Sequence, residues 1–165
     1  MVLEIEVREL RERYAAGERN FTGYRIASGG DELHGDLTGI NSIDASLAKI
    51  YMEGIILINA DLRSDTLTDC CLDRANLTNA DLQGCDLRGA TFRAANLTGA
   101  DLQDARFDNT NFSGADLTDA NLSGVELNAS FRNANLTGAD LTDVNDSDAI
   151  FENTTMPNGR LRTSS

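Results

Sequence analysis

GVELNASFRNANL, residues 124–136, interrupts an even rhythm. From Leu62 through Leu67, Leu72, Leu77, Leu82, Leu87, Phe92, Leu97, Leu102, Phe107, Phe112, Leu117 and Leu122 to Leu127, a large apolar residue returns at every fifth position. Phe131 then arrives after four. Whether the chain ends its architecture at this point or absorbs the lost residue decides the fold.

The repeating unit, legible from about Leu37 to Met156, reads ADLRS, ANLTN, ADLQG, ANLTG. A large apolar residue stands at its centre. Two positions earlier sits a small one, as at Ala60, Cys70, Ala75, Ala80, Cys85, Ala90, Ala95 and Ala100, and between them is usually Asp or Asn. A period of five fits neither the 3.6 of a helix nor sustained alternation at 2, so the chain must bend once per unit. The Asn, Asp, Ser, Thr and Gly that follow each centre suit a turn, through local side-chain hydrogen bonds or through tolerance of unusual dihedrals. Small and large residues at alternate positions then point inward from short β-like sides.

The number of sides per coil follows from columns of like residues. Phe92, Phe112, Phe131 and Phe151 recur at intervals of 20, 19 and 20. Thr78, Thr98, Thr118 and Thr137 recur at 20, 20 and 19, and Asp61, Asp81 and Asp101 at 20, with Asn121 and Asp140 continuing the series. A three-sided coil of 15 residues would scatter these columns; a four-sided coil of 20 aligns them. Each column crosses residues 128–130 by shortening one interval and then resumes. The sequence therefore predicts a tightened or flattened corner near Asn128–Ser130 within a continuing stack.

These A-[DN]-L-x-x units resemble the pentapeptide-repeat family over about three quarters of the chain. The resemblance implies an all-β solenoid, a right-handed quadrilateral β-helix, here of six or seven coils and on the order of 30 Å tall at the spacing of β-strands. RYAAGERNFTGYRI, 13–26, is similar to the N-terminal segment of bacterial members, in which a short helix caps the first coil. Leu3, Val7, Leu10 and Tyr14 form one stripe of an amphipathic helix, and Gly17 is placed to stop it. The expected organisation is a capping helix over 1–20, the β-helix over 21–156 with an irregular loop near 27–36, and a flexible C-terminal tail over 157–165. Asp146 falls where an apolar residue belongs. The last coil has no visible cover, so its unpaired backbone edge is a place where a second chain could add, and monomer and homodimer through that coil both stay open.

A formal charge of −13, from 14 Lys+Arg against 27 Asp+Glu, argues against direct binding to nucleic acid or anionic lipid. The N-terminus lacks a basic segment followed by an apolar run, which points to a soluble cytoplasmic protein. Cys70, Cys71 and Cys85 form neither a C-x-x-C pair nor a disulfide framework and read as free thiols, Cys70 and Cys85 inward and Cys71 outward. His34 is the only histidine and lies among Asp31, Glu32 and Asp36 in the irregular loop. One histidine among loop acids does not supply convergent ligands, so no catalytic residue, metal or cofactor is expected, and the chain is read as no enzyme.

One surface feature stands out. Asp61, Asp81, Asp101 and Asp140 stack carboxylates at the spacing of the coils, and Asp104 and Asp143 extend the same face. The family's own code explains part of this, since Asp or Asn before the centre bonds to the turn backbone. Arg63 and the neighbouring arginines Arg74, Arg88, Arg93 and Arg106 dilute the effect elsewhere. The resemblance implies two functions. One is a scaffold or regulatory protein that binds a protein partner, as in members that regulate heterocyst differentiation. The other is a DNA mimic that inhibits DNA gyrase, as in the fluoroquinolone-resistance members. The latter carry long projecting loops and a hydrophobic C-terminal dimerisation element, neither of which is evident here.

Overall fold

The computed structural model describes residues 3–27 and 32–163. From Phe21 to Met156 the described residues wind as a four-sided parallel β-helix. Each side pairs with the side one coil away through a single bridge, as in the series Asn76, Asn96, Asp116 and Asn135. Seven coils are marked along one side by Leu37, Leu57, Leu77, Leu97, Leu117, Leu136 and Met156. The adjoining side carries Leu33, Met52, Leu72, Phe92, Phe112, Phe131 and Phe151, all of them buried. Between them the small inward residues, Ala60 to Ala139, fill the remaining width, so the interior is packed side chain and not a channel.

The corners follow from local chemistry. At Leu57–Ala60 the Ala60 N–H donates to the Leu57 carbonyl at 3.2 Å, and the third residue of the turn, Asn59, has φ 55°. Turns of this kind need that left-handed dihedral, and the equivalent position is Asn, Asp or Gly at most corners. The Asp or Asn before each centre adds a second bond: the Thr78, Thr98 and Thr118 N–H groups donate to Oδ1 of Asn76, Asn96 and Asp116 at 3.1, 3.0 and 3.0 Å. One five-residue unit thus satisfies its own bend while its backbone serves the coils on either side.

The interruption is absorbed as the sequence predicts. After Leu127 the chain lacks the left-handed corner residue and runs straight into strand β4 (Ala129–Ser130), which pairs in parallel with β3 (Thr110–Asn111) in the preceding coil. The offset is 19 at Thr110 and Ala129 and returns to 20 at the bridge between Ser130 and Ile150. A flattened corner replaces a turn, and the stack goes on.

The N-terminus differs from the expected 1–20 helix. Residues 3–6 form strand β1 (Leu3–Glu6), parallel to β2 (Tyr24–Ala27) in the first coil, and only Val7–Ala15 is helical (α1). Leu3 therefore belongs to no helical stripe and is exposed, whereas Ile5 is buried. The open backbone edge of the first coil accounts for this, because a strand satisfies it and a helix cannot. Val7 and Leu10 are buried, and the Tyr14 hydroxyl donates to the Thr38 carbonyl at 2.9 Å, so α1 still covers the first coil. Gly17, with φ 98°, follows its last turn.

Part of the loop expected near 27–36 lies outside the described residues. Within the described part, Leu33 is a core residue whose N–H donates to the Tyr51 carbonyl at 2.9 Å, and Asp36 bridges to Ile56. The described part from Leu33 to Asp36 thus belongs to the first coil. The flexible tail also gives way to structure: β5 (Thr154–Thr155) and β6 (Leu161–Arg162) form an antiparallel hairpin. Asp146 is exposed instead of buried and accepts Arg162 Nη1 at 3.1 Å, while the Arg162 guanidinium lies 4.5 Å from the Phe151 ring centroid. The hairpin thus covers one side of the last coil, which was expected to have no cover.

Candidate functional site

Asp61, Asp81, Asp101 and Asp140 line one outer side, with Asn41 before them and Asn121 between the last two. Backbone bonds fix their spacing. The N–H groups of Asp61, Asp81, Asp101, Asn121 and Asp140 donate to the carbonyls of Ile40, Ala60, Ala80, Ala100 and Ala120 at 2.8, 2.9, 3.0, 2.9 and 2.9 Å. Such a ladder holds carboxylates in place without spending side-chain contacts on it.

The carboxylates themselves are engaged. Asp61 takes a bidentate pair from Arg63, with Nε to Oδ1 and Nη2 to Oδ2 both at 2.8 Å, and Arg63 Nε also lies 3.5 Å from Asp81 Oδ2. Those hydrogen bonds from Arg63 hold Asp61 below the usual carboxylate range. Asp81 Oδ1 accepts the Gln83 N–H at 3.1 Å. Asp101 receives the Gln103 N–H, Asn121 Nδ2 and Gln83 Nε2 at 3.1, 3.1 and 2.6 Å. Asp140 accepts the Thr142 N–H at 2.9 Å, and hydrogen bonds from Thr142 hold it low as well. Each member is therefore anchored by its own turn, as the repeat code expects, and the upper half of the strip is partly neutralised by Arg63.

Asp104 and Asp143 do not join that ladder. They are corner residues with φ 58° and 57°, in register with Asp44, Ser64, Gly84 and Gly124 along the edge of the same side. The face is thus two parallel rows, a mid-face row of Asp and Asn and a corner row whose acids are separated by Gly and Ser. Gln83, whose N–H and side-chain amide reach Asp81 and Asp101, was not singled out from the sequence, although it stands in the register that would place it there, and Asn121, a member of the column in the sequence, bonds Asp101.

Other candidates stay apart from this face. His34 is exposed and pairs with Glu32 at 2.6 Å. Among the described residues no cluster of His, Cys, Asp and Glu is arranged to hold a metal ion. Cys70 and Cys85 are buried and Cys71 is partly exposed, with all three unpaired. No helix among the described residues is long and apolar enough to cross a membrane.

The pentapeptide-repeats profile matches residues 70–109, 95–128, 105–153 and 129–164, in eight copies and over more than half of the chain. The chain belongs to the pentapeptide-repeat family. Its coils are those of the family's right-handed quadrilateral β-helix. The crystal structure of HetL, a pentapeptide-repeat protein involved in heterocyst differentiation regulation from the cyanobacterium Nostoc sp. strain PCC 7120, is 26% identical, with 96% of this chain and all of HetL covered and a TM-score of 0.51. A trypsin-treated form of QnrB1, a plasmid-mediated fluoroquinolone resistance protein, is 24% identical, with 94% of this chain and 78% of QnrB1 covered and a TM-score of 0.52, a likeness of fold alone. No curated relative matches the chain.

Proposed function

We propose that this pentapeptide-repeat chain is a non-enzymatic scaffold or regulatory protein, cytoplasmic, that binds a protein partner through a rigid face of its solenoid. The observation that carries the reading is the ladder of Asp61, Asp81, Asp101 and Asp140, held at fixed spacing by backbone bonds on an open outer side. A preformed surface of this kind loses little conformational freedom on binding, which is how solenoids make extended contacts. Its charge suits a basic partner. Similarity to HetL along the whole of that protein supports a regulatory role. Exposed Leu161 and partly buried Leu141, Val144 and Met156 at the C-terminal end support a homodimer through the last coil as the alternative to a monomer.

A DNA-mimicking inhibitor of DNA gyrase is the second reading, favoured by the regular spacing of the carboxylates. Arg63 lies across Asp61 and Asp81, and Asn121 interrupts the row, so the face presents a broken line of charge where a phosphate backbone presents a continuous one. A supercoiling assay with the wild-type protein and a variant carrying Asp61→Asn, Asp81→Asn, Asp101→Asn and Asp140→Asn separates the two. The scaffold reading expects no inhibition by either. Inhibition at micromolar wild-type protein, lost in the variant, would replace it with the mimic.

A further inference from the structure

Asp65 occupies a small inward position, the one two residues before the central Leu67, and is completely buried. Four other polar side chains sit at equivalent inward positions. Each donates to the carbonyl of the central residue 23 positions earlier, across to the previous coil: Cys70 to Leu47 and Cys85 to Leu62 at 2.9 Å, Thr110 to Leu87 at 2.8 Å, and Thr154 to Phe131 at 2.5 Å. All four are neutral groups, whereas an ionised carboxylate would carry a charge into the slot.

The residue 23 positions before Asp65 is Ser42, the second departure from the repeat code, in a column otherwise held by Phe21, Leu62, Leu82, Leu102 and Leu122. The two departures meet. Ser42 Oγ donates to Asp65 Oδ2 at 2.5 Å, and the Ala45 N–H donates to Asp65 Oδ1 at 2.9 Å. No ion pair reaches Asp65 among the described residues, and the titratable groups facing it, Asp44 and Asp61 on neighbouring turns and Cys85 in the next coil, are all acids. A carboxylate in this apolar interior would keep both hydrogen bonds but stand without a counter-charge among acids, whereas the neutral acid form avoids that cost.

We propose that Asp65 is a carboxylic acid in the folded protein, joining the second coil to the third through Ser42, and that its burial in that form is a built-in device that loosens these coils as the medium passes from acid through neutral. Burial pushes the Asp65 carboxyl up to about 8. In the unfolded chain it ionises near pH 4, at about 3.9. Between those values the folded state holds a proton that the unfolded state has released, so stability falls as pH rises from about 4 to about 8 and is level above that.

The test compares wild type with Asp65→Asn, whose amide keeps the shape, a donor and an acceptor but does not titrate, by chemical denaturation from pH 5 to 9. The unfolding constant of wild type relative to the variant should rise by up to about tenfold per pH unit to pH 8 and then level off. A ratio that stays flat overturns the proposal. Should the variant fail to fold, carboxyl-carbon NMR of the wild-type protein decides: an Asp65 signal titrating above pH 7 supports the assignment, and one titrating below pH 5 overturns it.

Discussion

Phe112 and Phe131 are stacked, their ring centroids 5.2 Å and their planes 10° apart, although a shortened coil of 19 residues separates them in sequence. The rings of Phe92 and Phe151 continue the column at 5.0 and 5.4 Å, and Phe107 meets Phe112 edge-on at 5.5 Å. The register thus survives a deletion at a corner because the inward column, and not the corner, carries the packing.

Phe112, fully buried with aromatic neighbours above, below and beside it, is the residue on which that register rests most heavily. Phe112→Ala should lower stability by about 3 to 5 kcal/mol, the usual cost of emptying a buried aromatic site whose rigid surroundings cannot collapse. Urea denaturation measures it. A loss below about 1 kcal/mol would mean that the coils close up around the gap and that the interior is not rigidly packed.

The cysteines report the inward and outward assignment independently. Cys70 and Cys85 are buried and donate to backbone carbonyls, and burial pushes the Cys70 thiol up to about 12 and raises Cys85 as well. Only Cys71 is partly exposed. Under native conditions a thiol reagent at pH 8 should modify Cys71 alone, with Cys70 and Cys85 reacting only after denaturant is added. Peptide mapping that finds comparable modification at all three would contradict it.

Corner glycines are of two kinds. At Gly39 (φ 68°) an added Cβ meets nothing, whereas at Gly138 (φ 72°), in the same corner column, it would fall against Oδ1 of Asp119 in the coil before. Gly39→Ala should cost about 1 to 2 kcal/mol for the left-handed dihedral alone. Gly138→Ala should cost more, and the excess should vanish when Asp119→Ala is added, measured as a double-mutant cycle. Equal costs for the two glycine substitutions would show that Asp119 swings aside freely.

Much of this architecture is written in the chain, because a repeat leaves several copies of each instruction. The phenylalanine and threonine columns fixed four sides, and the Asp and Asn before each centre announced their turn bonds. The departures were harder to read where two patterns shared residues. Leu3 fits a helical stripe with Val7 and Leu10, yet Ile5 and Val7 fit a strand's alternation, and the open edge beside β2 decides for the strand as far as Glu6, with Val7 and Leu10 left in α1. Leu33 was hidden because the interval from Ile26 is seven and that to Leu37 is four, two irregularities that nearly cancel over a coil. At the C-terminus PNGR, 157–160, carried a turn signal, and the Met156 N–H does donate to the Arg160 carbonyl at 2.8 Å, but a polar composition suggested a tail. Of the acidic face, position was legible and electrostatics was not: the reach of Arg63 across two coils and the links made by Gln83 and Asn121 depend on side-chain rotamers that no spacing reveals.

In the fourfold Asn variant each amide keeps the shape of the carboxylate and an oxygen to accept the turn N–H, and Asn41 and Asn121 already fill that role in the same column. Lost in exchange are exposed pairs with Arg63, which contribute little in water. The variant, its formal charge four units closer to zero than −13, should therefore keep its coils, with a melting temperature within a few degrees of wild type. Binding should respond differently. Capture from the source cell, run in parallel on both proteins across a salt series, should retain a basic partner on wild type that elutes as ionic strength rises, and retain it several-fold more weakly on the variant with a shallower salt dependence. A partner held equally by both proteins at every salt concentration would move the interface off Asp61, Asp81, Asp101 and Asp140 to another side of the solenoid.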